Sequence, residues 1–388
     1  MRISRLLAVA LLFTLAACAE RSVAPEFDST GAPLFSAGER VPGSYIVVLE
    51  EGSNPRAVAA AAGVTPAYVY EHALTGFAAE LNAGQLNALR HMPGVEYVEE
   101  DQVYTADATQ TMTAGGGLWG LDRIDQRGLP LSGSYTYNTT ASNVYVYVID
   151  TGIYTGHTQF GGRATNVYDA FGGNGQDCHG HGTHVAGTIG ASTYGVAKAT
   201  RLRGVRVLNC SGSGSTSGII AAVDWVRANR LNPAIANMSL GGGYSGSLNT
   251  AVNNLANSGV FTAVAAGNSG ANACNYSPAS AGSAFTTAAS TKTDARASYS
   301  NYGSCVDAYA PGSSVLSAWI GGSSATNTIS GTSMASPHVA GVAALYKATY
   351  GNVSSSTIDS WIKNNATTSR ITGNVSGTPN RLLYKAGL

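Results

Sequence analysis

The stretch Val144-Tyr145-Val146-Tyr147-Val148-Ile149-Asp150-Thr151-Gly152 decides how the rest of the chain reads. Val144–Ile149 is an unbroken run of β-branched residues and tyrosine. Such a run describes a strand buried on both faces, because a half-exposed strand alternates apolar with polar. Working outward, Ala234–Met238 and Val260–Ala266 are similar, and Leu202–Leu208 is a weaker case broken by two arginines. Helical stretches separate them at Gly182–Ile189, Gly218–Arg230, Ser247–Ser258 and Met334–Tyr346. Strands alternating with helices predict an α/β domain from Trp119 onward, with a mainly parallel central sheet flanked by helices. In such sheets a ligand site lies outside the carboxyl ends of the strands. Asp150 stands there.

Before Trp119 the texture differs. Tyr45–Leu49 and Val95–Val98 read as strands and Leu74–Leu81 as a poorly alternating one; Asn54–Ala62 and Asn82–His91 read as helices. Residues 40–104 thus form a small α+β unit, marginal alone. Thr105–Gly117 is rich in small residues and reads as a linker or a cleavage site. Residues 19–39, polar with Pro25, Gly31 and Pro33, read as a tether.

The chain has 388 residues, with 22 Lys+Arg against 22 Asp+Glu. A neutral balance argues against nucleic acid, which needs a basic face, and against a polybasic membrane patch. Hydrophobic residues make up 44%, too many for a disordered chain. Arg2 and Arg5 precede an apolar run, Leu6–Leu15, too short to span a bilayer. Residues 1–17 therefore read as a signal peptide. Leu15-Ala16-Ala17-Cys18 resembles a bacterial lipobox, which implies lipidation of Cys18 and an exported precursor anchored to the cell envelope. Cys178, Cys210, Cys274 and Cys305 remain, an even number that predicts two disulfides in an oxidising compartment, by any of three pairings.

Two further motifs carry chemistry. His179-Gly180-His181-Gly182-Thr183-His184-Val185-Ala186-Gly187 gathers three histidines at a helix start. HExxH is absent and no carboxylate stands at helical spacing, which argues against a metal cluster. Ser330-Gly331-Thr332-Ser333-Met334-Ala335-Ser336-Pro337-His338 places Ser333 at a helix N-terminus. Free N–H groups and the helix dipole there favour an oxyanion, although serine is also an ordinary capping residue. Each motif alone is ambiguous. Together, Asp150, His181 and Ser333 supply an orienter, a base and a nucleophile, since a serine hydroxyl needs a base and the base needs a carboxylate.

That order, with those flanking residues, resembles the subtilisin-like serine proteases (peptidase family S8), in particular the proteinase K branch and its aqualysin-like members. The resemblance covers Trp119 to the C-terminus. It implies a subtilisin-like fold and a secreted serine endopeptidase that works through an acyl-enzyme. His181, rather than His179 or His184, matches the family's base, and Asn268 its oxyanion donor. Ser239, Leu240, Gly241 and Gly242, with Gly212, Ser213 and Gly214, match the two segments that flank a peptide substrate. Ala265, Ala266 and Gly267 complete the pocket. Gly241 and Gly267 imply an open, uncharged S1 pocket, broad specificity and apolar or aromatic P1 residues. The spacing of Gly212, Gly214 and Gly218 is one residue too long for a dinucleotide fingerprint.

Residues 40–107 resemble the family's inhibitory propeptide, which assists folding, fills the cleft and is cut off by the enzyme, here near Asp107-Ala108. The catalytic domain would then span residues 108–388, and the mature enzyme would be a monomer freed from its lipid anchor. No C-terminal module is expected. The resemblance pairs Cys178 with Cys210 and Cys274 with Cys305. It implies structural calcium at Asp122, Asp125 and Gln126, and at Asp307 with the carbonyls of Gly282 and Ala284. A catalytically silent peptide binder and an ester hydrolase are the rival readings.

Overall fold

The computed structural model describes residues 31–106 and 117–388. The first part contains β1 (Leu34–Phe35), β2 (Arg40–Leu49), α1 (Pro55–Ala61), β3 (Tyr68–Tyr70), β4 (Gly76–Glu80), α2 (Ala83–Arg90) and β5 (Val95–Ala106). Both helices start as their sequences dictate. Asn54 caps α1 through the Ala57 N–H, with Pro55 in the first turn. Asn82 and Gln85 form a reciprocal capping box on α2. The helices pack on a sheet in which β2 lies antiparallel to both β4 and β5, around Val47, Leu49, Phe77, Leu89 and Val98.

Two expectations are corrected here. The tether does not run to residue 39: Leu34 and Phe35 pair with Val98 and Glu99 of β5, and the Phe35 ring meets Tyr97 edge-on at 5.4 Å. A strand of two residues gives no periodicity to read. Thr105 and Ala106 are not linker but the end of β5. The expected cut at Asp107-Ala108, the signal segment and Cys18 lie outside the described residues.

The second part contains α3 (Trp119–Asp125), β6 (Tyr145–Asp150), β7 (Ala164–Asp169), α4 (His181–Gly190), β8 (Arg201–Arg206), β9 (Ser213–Ser215), α5 (Thr216–Asn229), β10 (Ala234–Met238), β11 (Leu240–Gly243), α6 (Gly246–Asn257), β12 (Phe261–Ala265) and β13 (Tyr276–Ser277). It continues through β14 (Phe285–Ser290), β15 (Ala308–Pro311), β16 (Val315–Ala318), β17 (Thr326–Ile329), α7 (Thr332–Tyr350), α8 (Ser355–Asn365), β18 (Thr367–Thr368) and β19 (Arg381–Leu382). The main sheet runs β18-β19-β15-β14-β12-β10-β6-β8-β7, parallel throughout except for β18 against β19. It is the subtilisin-like fold.

Strand β6 shows why this sheet needs helices on both sides. Val146 and Val148 point into a core with Val185, Ile189 and Val339 of α4 and α7. The alternate residues Tyr147 and Ile149 enter a second core with Ile219, Val223, Leu248 and Val252 of α5 and α6. Alternation of side chains across a strand puts every second residue in each core.

The disulfides pair Cys178 with Cys210 and Cys274 with Cys305, across sequence separations of 32 and 31. Closing loops of that length stabilises the fold by roughly 3–4 kcal/mol each on chain-entropy grounds. Among the described residues no helix is long and apolar enough to cross a membrane.

Candidate active site

Asp150 is the last residue of β6, at the carboxyl edge of the sheet. Its Oδ1 accepts from the Thr151 N–H at 2.7 Å and lies 2.7 Å from His181 Nδ1, with both side chains fully buried. His181 opens α4. The helix can approach the Asp150 turn because Gly182 has no Cβ; one there would run into the Gly152 carbonyl oxygen. The Gly182 N–H donates to Thr151 Oγ1 at 2.8 Å, which fixes the spacing. With Nδ1–H donating to the carboxylate, Nε2 is the basic nitrogen of the ring.

Asp177 went unnoticed in the sequence. Its Oδ1 accepts from Thr151 Oγ1 and from the N–H groups of His179 and Gly180, and its Oδ2 from the N–H and hydroxyl of Thr183, all between 2.6 and 2.9 Å. One buried carboxylate thus ties the Asp150 turn to the start of α4. An acidic residue just ahead of a helix start was its signal.

Ser333 lies in the first turn of α7, after Gly331 as N-cap. Four residues on, Pro337 lacks the N–H that would bond the Ser333 carbonyl. Ser239 takes that place: its hydroxyl donates to Ser333 O at 2.9 Å, and its own carbonyl accepts from Ser333 Oγ at 3.0 Å. Ser239 is itself braced by Asn237, which holds Ser336 in turn. The Ser239 side chain is fully buried beneath Ser333, and its carbonyl faces Ser333 Oγ.

Asn268 follows β12. Its Oδ1 accepts from both the N–H and the hydroxyl of Thr332, at 2.9 and 3.0 Å. Two donors on one atom identify it as the oxygen, so Nδ2 is turned the other way. Nearby, Gly241, Gly242, Ala265, Ala266, Gly267 and Asn268 line a cavity of about 240 Å³, closed on one side by Glu39, Val103 and Thr105.

The end of β5 fills the groove beside this site. It lies antiparallel between β9 and β11, with Tyr104 opposite Gly214, Thr105 opposite both Ser213 and Gly241, and Ala106 opposite Leu240. The Ala106 N–H donates to Gly212 O at 2.8 Å. Tyr104 rests its ring on Gly242, where a Cβ would stand 3.0 Å from three ring carbons, and its hydroxyl donates to Gly243 O. Behind the strand, Asp101 accepts from the N–H and hydroxyl of Ser217 at the start of α5. Glu99 does the same for Ser247 at the start of α6, at 3.0 and 2.8 Å. Two carboxylates of the small unit thereby satisfy donors at two positive helix ends.

A family model described as Peptidase_S8, subtilase family, matches residues 141–383, and one described as peptidase inhibitor I9 matches residues 44–107. The chain belongs to the subtilase family. This subtilase is 48% identical to the extracellular serine proteinase of a Thermus species, over 96% of this chain and 97% of that one. It is 53% identical to alkaline serine exoprotease A of Vibrio alginolyticus over 81% of this chain, but spans 59% of that relative's length. A cold-adapted subtilisin-like serine proteinase, known from its crystal structure, matches with a TM-score of 0.67 and 52% identity, covering 69% of this chain and 97% of that one. The subtilase is thus a serine proteinase with an I9-type propeptide, and the strand filling its cleft is the end of that propeptide.

The calcium expectation meets a different donor set. Among the described residues no group of three or more His, Cys, Asp or Glu side chains is gathered to hold a metal. Asp122 accepts from the Ser132 N–H and hydroxyl and the Gly133 N–H. Asp125 accepts from Thr136 and pairs with Lys385 at 3.0 Å. Gln126 Oε1 accepts from the Ser132 N–H. Asp307 accepts from the Thr286 N–H and pairs with Lys363 at 2.8 Å. These oxygens already hold N–H, hydroxyl and ammonium donors, and an ammonium beside a carboxylate repels a divalent cation. The residues do not fit the calcium sites that the resemblance implies.

Proposed function

We propose that this subtilase is an exported endopeptidase in which Ser333 is the nucleophile, His181 the general base, Asp150 its orienter and Asn268 an oxyanion donor. The observation that carries this reading is the propeptide strand bonded between β9 and β11 beside Ser333, Asp150 and His181. A cleft that binds one extended backbone by its own strands will bind another.

Ser333 Oγ attacks the scissile carbonyl carbon while His181 Nε2 takes its proton. The carbonyl oxygen becomes an oxyanion, met by Asn268 Nδ2 and by the Ser333 N–H, which has no acceptor within its own helix. Asp150 stabilises the imidazolium without taking its proton. His181 then protonates the leaving amine, the C–N bond breaks, and an acyl-enzyme remains. Water repeats the sequence and releases the acid. Asn268→Ala is expected to lower kcat by about 10²–10³ with KM little changed, measured on a chromogenic peptide. An equal loss confined to KM would refute the oxyanion role.

The cavity lining supplied by the catalytic domain carries no charge, which supports apolar or aromatic P1 side chains. Peptides with Phe or Tyr at P1 should exceed those with Lys or Glu by about tenfold or more in kcat/KM, because a charged side chain would be buried unpaired. Equal rates across the series would end this reading. Hydrolysis of simple esters without casein would favour the esterase instead.

We place the propeptide at residues 40–107, with the cut near Asp107-Ala108. A charged Asp107 at P1 runs against the preference above. Tethering offsets this, since a linked strand meets the site at an effective concentration in the mM range. Residues 1–17 act as signal and lipidated Cys18 anchors the precursor, so that cutting frees a monomeric protease. Export agrees with the two disulfides.

A further inference from the structure

We propose that a lysine built into the chain replaces calcium at Asp307: the Lys363 ammonium supplies the positive charge that the family resemblance assigns to a metal there. Asp307 is mostly buried in front of β15, a strand of the central sheet. Its Oδ2 accepts from the Thr286 N–H at 2.7 Å and its Oδ1 holds Lys363 Nζ at 2.8 Å. Lys363 is aimed from α8. Asp359, one helical turn earlier, holds the same Nζ at 2.8 Å, the spacing at which helix neighbours meet.

The ammonium also lies 5.8 Å from the ring of Phe285, the residue that follows Ala284. The ammonium is thus held between two carboxylates, Asp307 and Asp359, at 2.8 Å from each. A carboxylate neutralised in this way gives a second cation little attraction and the ammonium's repulsion. The same device recurs at the other expected site, where the buried Lys385 Nζ stands 3.0 Å from Asp125.

A metal depends on supply and a side chain does not. This corner of the domain should therefore hold without calcium and be indifferent to chelators. The test uses the full chain carrying Ser333→Ala, which stops self-digestion, titrated calorimetrically with calcium chloride after metal removal. Asp307→Asn is expected to bind as many calcium ions as its parent. Lys363→Met, which bares the carboxylate, should bind one more. In chelator Lys363→Met should melt roughly 5 °C or more below the parent, with calcium restoring most of the loss. A calcium ion bound by the parent and lost in Asp307→Asn overturns the proposal. So does a Lys363→Met chain that melts like its parent in chelator.

Discussion

With Ser333→Ala the purified chain is expected to keep the intact mass of its uncut precursor, while the native chain shortens to about residue 108 onward. The reason lies in the position of β5. Ala106 is already bonded to Gly212 and paired with Leu240, so the described end of the propeptide already lies in the cleft before any substrate arrives. Removing Oγ leaves the cleft, the strand and the oxyanion donors in place and takes away only the atom that attacks. Loss of the nucleophile costs other subtilisins on the order of 10⁶ in kcat. Cutting that takes seconds would then take weeks. Intact-mass measurement separates the outcomes. If both chains stay whole, self-processing is wrong and the silent-relative reading takes over. If both are cut alike, another protease does the work.

The second large effect is acid lability. His184 is fully buried in α4, with Nε2 3.0 Å from Val315 O, and burial lowers its pKa to about 3. His338, buried in α7 with Nδ1 on Met334 O, is lowered by the same cause to about 4. In the unfolded chain both return to about 6.5. Between these values the unfolded state binds more protons, so stability rises with pH there. The contribution is complete above about pH 6.5 and is lost as pH falls toward 4. It amounts to on the order of 3 kcal/mol for each residue, against a total of about 5–15 kcal/mol for a typical domain. Melting of the Ser333→Ala chain should therefore drop steeply between about pH 7 and about pH 5, and His338→Gln should soften that drop. A melting temperature that stays level across this interval would show that these imidazoles are not the acid trigger.

The central sheet was readable wherever packing leaves a compositional mark. The run at Val144–Ile149 is buried by four helices and can hold only apolar side chains. Strands β14 and β15 gave no such mark. Phe285–Ser290 and Ala308–Pro311 use alanine, serine and threonine because α7 lies close across them, and small residues mimic a loop. Asp150, His181 and Ser333 could be picked out because their chemistry demands particular types beside glycines. Asn268 needed the family resemblance, since an asparagine after a strand is otherwise a turn residue. The role of Pro337 in bracing the site was invisible, because it acts through a bond it does not make; Asp177 offered only its place ahead of a helix start, while its partner Thr151 is distant in sequence. The calcium expectation came from matching oxygen ligands, Asp122, Asp125, Gln126 and Asp307 with the carbonyls of Gly282 and Ala284, to the family's sites. It did not take into account Lys363 and Lys385, which reach those carboxylates from the other end of the domain.

Glu99 and Asp101 finish the first turns of α6 and α5, yet both belong to the propeptide, which the proposed cut would remove. The propeptide is in this sense a mould broken after a single casting. An enzyme cut as proposed would keep a shape whose template is gone, and a molecule that sprang open would have nothing to recast it. Its durability is then a matter of escape rate, to be quoted as a half-life at a given temperature. A more lasting enzyme would come from slowing that first opening.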